Sequence, residues 1–296
     1  MTWIKKIITA EASFILACPA VLWQLLFLFL PLAILFFYSI VDCENAALTL
    51  AFYQQIFSAS YFKVILHSFI LAFVTALITL VVAYPVAYFL ALRVHKRFRV
   101  FLLFSLILPS WTCLIVQVYA WFFLFDRQGF LSQFLYSLGM PSSITLLNSR
   151  FAIMVGMVAV YLPFMIMPLF AVIKKMDKKL VEASADLGAS RYETFKRVVF
   201  PLSLPGIYSG FLLVFVPAFG EFAIPTLLGG SKVVLWGNLI VEKFLLSRDW
   251  QSGAAFACFG VLFPIAIIMA IYGVIRIVGL LRSQRLTVRD QYKDVW

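Results

Sequence analysis

Residues 64–92 read VILHSFILAFVTALITLVVAYPVAYFLAL, twenty-nine positions without one Asp, Glu, Lys or Arg. A helix needs ~20 apolar residues to cross the hydrocarbon core of a bilayer, so this stretch predicts a membrane span. Charge-free stretches of the same kind flank it at 12–41, 100–125, 151–173 and 250–275, and a sixth, 198–231, is broken only by Glu221. The expected fold is therefore an all-α integral membrane protein with six transmembrane helices. The spans fall at about 14–41, 64–92, 100–125, 151–173, 204–228 and 252–278, in a single transmembrane domain over 1–296. Composition agrees. The AVILMFWYC set makes up 64% of the chain and charged residues 12%, about half the ~25% of a soluble domain. A soluble core cannot hide that much apolar surface, and disordered chains are poor in it.

The net charge of +11 would point to nucleic acid in a soluble protein. Its placement points to membrane topology instead. With the N-terminus in the cytoplasm, the inner segments hold eighteen of the 24 Lys+Arg and the outer loops the remaining six, Lys63, Arg127, Arg150, Lys232, Lys243 and Arg248. The positive-inside rule selects that orientation, with both termini cytoplasmic; the charges meet anionic lipid and no nucleic acid is expected. The apolar run to Val41 is too long for the ~7–15-residue core of a cleaved signal and reads as a retained first helix. Cys18, Cys43, Cys113 and Cys258 are scattered and read as small apolar fillers. His67 and His95 lack ligand spacing, so no metal is expected.

The inner loop 174–203, KKMDKKLVEASADLGASRYETFKRVVFPLS, carries the most local information. Asp177 can cap a first short helix, with Leu180, Ala183 and Leu187 on one face. Gly188 is its natural stop. Ser190 and Glu193 form a capping box that opens a second helix, with Tyr192, Phe195 and Val198–Val199 along its apolar face, and Pro201 is expected to end it. Such a helix–turn–helix either packs on its own bundle or docks a soluble partner. A tail follows at 282–296.

Glu182-Ala183-Ser184, then Gly188, then nine residues, then Val198-Val199-Phe200-Pro201 resembles the EAA motif of ABC importer permeases, whose pattern is E-A-A, three residues, G, nine residues, I-x-L-P. The spacing is matched throughout; Ser stands for the second Ala, Val for Ile and Phe for Leu. L-P-S-W-T at 108–112, V-Y-A-W at 118–121, Y-L-P-F-M at 161–165, P-A-F-G-E-F at 217–222, L-L-G-G at 227–230 and R-D-W at 248–250 are similar to the polyamine (putrescine/spermidine) permease branch. That branch often has Arg where this chain has Gln117.

The resemblance implies a binding-protein-dependent importer of the bacterial inner membrane. Its parts would be two ATPase subunits, a second permease subunit forming a heterodimer, and an external substrate-binding protein. No G-x-x-x-x-G-K-[ST] loop occurs, so this chain needs no cofactor of its own; ATP and Mg belong to the ATPase. Glu182, Ala183, Ser184, Gly188, Val198, Phe200 and Pro201 would then couple the chain to that ATPase.

Glu221 is the one residue among Asp, Glu, Lys and Arg deep in an apolar stretch, at a cost of at least ~2.5–3.5 kcal/mol if unpartnered. Pro217, Gly220 and Pro225 surround it and predict a broken helix, whose freed carbonyls can coordinate a cation. Glu221 thus either lines the path of a cationic amine or is a buried anchor. Trp111, Tyr119 and Trp121 of the third span can pass an ammonium by cation–π contact, or simply favour the interfaces. Gly206 and Gly210 have small-xxx-small spacing for close helix approach. Other readings are an ABC permease for an organic cation, iron, sulfate or sugar, and a proton-coupled secondary transporter with Glu221 as relay. A membrane enzyme lacks any supporting H-E-x-x-H or paired-carboxylate pattern.

Overall fold

The computed structural model describes residues 18–42, 47–139, 146–230 and 233–291, with side chains to Ala270. Helix α1 (Cys18–Ile40) leads into a two-residue antiparallel ladder, β1 (Val41–Asp42) with β2 (Ala47–Leu48), in the register Val41↔Leu48. Then follow α2 (Ala51–Ile56), α3 (Ala59–Leu92), α4 (Lys96–Ile107) with a 3-10 turn to Trp111, α5 (Leu114–Phe125) and α6 (Phe130–Ser137). The chain continues as α7 (Arg150–Lys175), α8 (Lys178–Asp186), α9 (Arg191–Phe219), α10 (Ala223–Gly229), α11 (Trp236–Val241) and α12 (Trp250–Gln291). Five helices are long and apolar enough to cross a membrane: α1, α3, α7, α9 and Trp250–Ala270 of α12; the bent pair Lys96–Trp111 plus Leu114–Ser137 brings the number to six. The expected start of the first span, 14–17, and the last residues of the tail, 292–296, lie outside the described residues.

Two compact units result, one from Ala59–Leu239 and one from the described residues before and after it. In the first, α3 packs on α7 and α9. Ala72, Ala76, Ala83, Ala87 and Ala91 form a buried stripe along α3, so backbones approach closely where lipid offers no hydrophobic drive. Gly206 and Gly210 do the same for α9. A Cβ at Gly206 would lie 3.1 Å from the Pro168 carbonyl oxygen, and one at Gly210 would lie 2.7 Å from the Met165 sulfur. In the second unit, Tyr53 donates to Ser39 (2.9 Å), which is fully buried.

Asp249 caps α12: its Oδ1 accepts from the Ser252 N–H at 3.1 Å, and its Oδ2 lies 3.6 Å from Lys243 Nζ. Burial pushes the Asp249 carboxyl up, but the Ser252 hydroxyl and N–H and the Lys243 ammonium outweigh it and hold the group below its ordinary value. The cap therefore stabilises at neutral pH and fades as pH falls through that lowered value. Asp249→Ala should cost about 1 kcal/mol, read as a small drop in the melting temperature of the detergent-solubilised chain at pH 7 that shrinks in acid.

Two expectations are corrected. The third span, 100–125, is not one straight helix. It turns by 93° between Trp111 and Leu114, because Pro109 leads a 3-10 turn and Thr112–Cys113 are extended. Pro201 does not end the second loop helix. That helix passes through a π-turn, Phe195–Val199, and runs on as α9 to Phe219. Proline lacks an N–H and crowds the carbonyl four residues back; a π-turn immediately before it widens the backbone and lets the helix continue.

Candidate functional site

At the end of α9 the chain breaks over Gly220-Glu221-Phe222 and restarts as α10. Glu221 is 8% exposed. Its Oε1 accepts from the N–H groups of Phe222 (3.1 Å), Ala223 (2.9 Å) and Ile224 (3.5 Å). It thereby satisfies the orphan donors that any helix start presents. Its Oε2 accepts from the Tyr161 hydroxyl of α7 at 2.7 Å. Both oxygens are engaged by the protein, which is the geometry of the buried anchor.

A strap from α11 closes the break. The Asn238 amide donates to the Phe222 carbonyl (3.3 Å) and to Thr226 Oγ1 (2.7 Å), and its oxygen accepts from the Leu235 N–H (3.1 Å). The Trp236 N–H donates to Ser68 of α3 at 2.7 Å. Gly237 presses against the break itself: a Cβ there would overlap the carbonyl oxygen of Gly220 and lie 2.8 Å from that of Glu221. The carbonyls of Gly220, Glu221 and Phe222 are thus covered or already accepting. Tyr161, Ser68, Gly237 and Asn238 carry this arrangement and were not singled out from sequence. Tyr161 sits in a quoted motif, but nothing in the residue order pairs it with a position sixty residues on.

The aromatic residues of the third span are separate. Trp111 is 72% exposed and meets Phe104 edge-on at 5.6 Å; Tyr119 meets Phe122 and Phe123; Trp121 stacks on Phe125 at 5.5 Å. Among the described residues no ring pairing joins any two of the three, and none hydrogen-bonds to Glu221. Gln117 bridges the bend instead, donating its amide to the Pro109 carbonyl and to Thr112 Oγ1 (3.0 Å). Gln117→Leu should loosen the bend, with more rapid hydrogen exchange at 109–117 than in the native chain.

In the loop, Asp177 Oδ1 accepts from the Lys179 N–H at 3.0 Å and opens α8. Gly188 ends it at φ +80°, a conformation open to glycine without a Cβ penalty. Ser190 and Glu193 complete a capping box: the Ser190 N–H donates to Glu193 Oε2 (2.9 Å) and the Glu193 N–H to Ser190 Oγ (3.3 Å). Ser184 and Thr194 share a hydrogen bond at 3.0 Å, tying α8 to α9. The second helix faces inward: Phe195 meets Tyr84 and Tyr88 of α3, Val199 is buried, and Ser203 bonds Tyr84 at 2.9 Å. Val198 is half-buried, while Phe200 and Pro201 are exposed. The first helix faces outward. Leu180 is 48% exposed and Leu187 88%; Tyr192, in the first turn of the second helix, is 70% exposed and does not join its inward face. Glu182 and Ala183 are exposed too. This exposed apolar set, with the Glu182 carboxylate beside it, is a surface without a cover in the single chain.

Residues 83–288 match the family model described as binding-protein-dependent transport system inner membrane component. The chain belongs to this family. It is thus a multi-pass inner-membrane transport component rather than an enzyme. It is 42% identical over 239 residues to the spermidine/putrescine transport system permease protein PotB of Escherichia coli (strain K12), covering 79% of this chain and 86% of that one. Its fold is similar to a chain of a bacterial ABC transporter involved in the import of the acidic polysaccharide alginate. The TM-score is 0.74 at 17% identity, over 93% of this inner membrane component and 99% of that chain. The alginate transporter in complex with an alginate pentasaccharide-bound periplasmic protein gives 0.70, also at 17% identity, over 90% and 94%.

Proposed function

We propose that this inner membrane component is a permease subunit of an ATP-driven importer of polyamines, spermidine or putrescine. The observation that carries the reading is the 42% identity to the Escherichia coli spermidine/putrescine permease over most of both chains. The assembly would contain a second permease subunit, two ATPase subunits that bind ATP and Mg, and an external binding protein that delivers cargo. Both termini face the cytoplasm, in keeping with the Lys and Arg distribution.

The loop 174–203 is the port for energy. An amphipathic helix seated in a partner groove transmits force only if its own end is rigid. Here Gly188, the Ser190–Glu193 box and the Ser184–Thr194 bond fix the angle between α8 and α9. Because α9 runs unbroken from Arg191 to Phe219, a tilt of the loop reaches Glu221 along one rod. The Glu221–Tyr161 clamp then acts on the path by holding the break, without touching cargo. Trp111, Tyr119 and Trp121 supply aromatic faces to an ammonium at ~0.5–2 kcal/mol per contact.

The test is uptake of labelled spermidine and putrescine by cells lacking this gene, restored with the chain and its companion subunits. Restored uptake of either, competed by the unlabelled polyamine, supports the reading. Restored uptake of sulfate or a sugar in its place would assign the cargo elsewhere.

A further inference from the structure

Where α3 ends at Leu92 and α7 ends at Lys175, the structure holds a cavity of about 590 Å³. Arg93, His95, Lys96, Arg99 and Lys174 line it, and among the described residues no carboxylate does. Like charges gathered around a hollow repel unless something neutralises them. Arg99 is the fixed member. Its Nη2 donates to the carbonyls of Ala91 (3.0 Å) and Val94 (2.9 Å), which hold the guanidinium over the end of α3. Its Nε is buried and, among the described residues, has no acceptor. Among the described residues the cavity therefore has cations without a counter-charge. The helix α4 opens on the same hollow at Lys96 with no side-chain cap on its first N–H groups, which adds positive potential.

We infer that this cavity is a binding site for the phosphate of an acidic phospholipid, bridging the 93–99 turn to Lys174 at the root of the coupling loop. An anionic diester supplies acceptor oxygens for the α4 start and counter-charge for the lysines. Basic pockets at the cytoplasmic ends of membrane helices suit such headgroups. Leu92, Val94 and Met176 give the same cavity apolar wall, as a glycerol backbone needs and a free phosphate does not. Placement in the inner leaflet rests on the orientation proposed above; headgroup binding does not.

The experiment titrates the delipidated full chain in detergent with phosphatidylglycerol or phosphatidylcholine and counts bound lipid by native mass spectrometry. Phosphatidylglycerol should be retained and phosphatidylcholine lost. Lys96→Gln with Lys174→Gln should weaken retention by roughly fivefold for each charge removed, while Lys96→Arg with Lys174→Arg keeps it. Equal retention by the native chain and the glutamine pair would overturn the site. So would retention that does not distinguish the two lipids. Displacement of phosphatidylglycerol by millimolar inorganic phosphate would assign the cavity to a soluble anion, and displacement by purified ATPase subunit to a protein carboxylate; either result rejects the lipid.

Discussion

Gly188→Val is expected to abolish nucleotide-driven uptake while leaving the chain inserted and abundant. Gly188 sits at φ +80° with nothing within 4 Å of where a Cβ would be, so the added Cβ meets no neighbour and the penalty there is one of backbone conformation. The left-handed region costs an L-residue roughly 1–2 kcal/mol, and a β-branched residue is a true outlier there. The turn must open, and α8 swings away from its angle to α9. The core packing of α3, α7 and α9 is untouched. Glu182→Lys should give the same loss by another route, reversing an exposed carboxylate on α8. Uptake by right-side-out vesicles checks both, alongside permease abundance and co-purification of the ATPase. Normal uptake by both variants would remove the coupling role from this loop, whereas lost abundance would make the effect one of folding.

Gly237→Ala and Glu221→Leu should each strongly destabilise the folded permease itself. The alanine Cβ would overlap the Gly220 carbonyl and crowd that of Glu221; both obstacles are backbone, so no rotamer change relieves them. Overpacking of this kind costs about 1–3 kcal/mol or more. Glu221→Leu strands the N–H groups that open α10 and the Tyr161 hydroxyl, at about 1–3 kcal/mol for each buried group left unpaired. Glu221→Gln keeps one oxygen for the N–H groups and an amide for Tyr161, and Tyr161→Phe removes a single bond, so both should be milder. The expected order in melting temperature is native, then Tyr161→Phe and Glu221→Gln, then Gly237→Ala and Glu221→Leu. Native melting temperature and abundance for Glu221→Leu, with transport alone lost, would return the carboxylate to the cargo path.

The spans were legible because lipid imposes one rule on every turn of a helix: no charge for about twenty residues. The loop caps were legible because Asp177, Ser190–Glu193 and Gly188 act within four residues of themselves. The break at Glu221 could be foreseen from Pro217, Gly220 and Pro225, but its use could not. Its partners Tyr161, Asn238 and Gly237 come from other helices, and a carboxylate facing three N–H groups reads in sequence the same as one facing water. The 93° bend at Thr112–Cys113 escaped because an apolar run carries no mark of direction. Pro201 misled because a π-turn upstream can absorb a proline, and nothing in F-K-R-V-V announces one. Ser184, which stands where the resembled motif has Ala, makes a cross-helix bond to Thr194 that motif matching treats as a neutral change of size.

The central claim is that this chain opens and closes only when a motor acts on residues 182–201. Proteoliposomes test it most directly, carrying either the chain alone or the chain with its second permease, ATPase and binding protein, with labelled spermidine outside and ATP inside. Uptake confined to the complete set, dependent on ATP and lost with Gly188→Val, is the predicted result. Spermidine entering through the chain alone, or through the complete set without ATP, would contradict it.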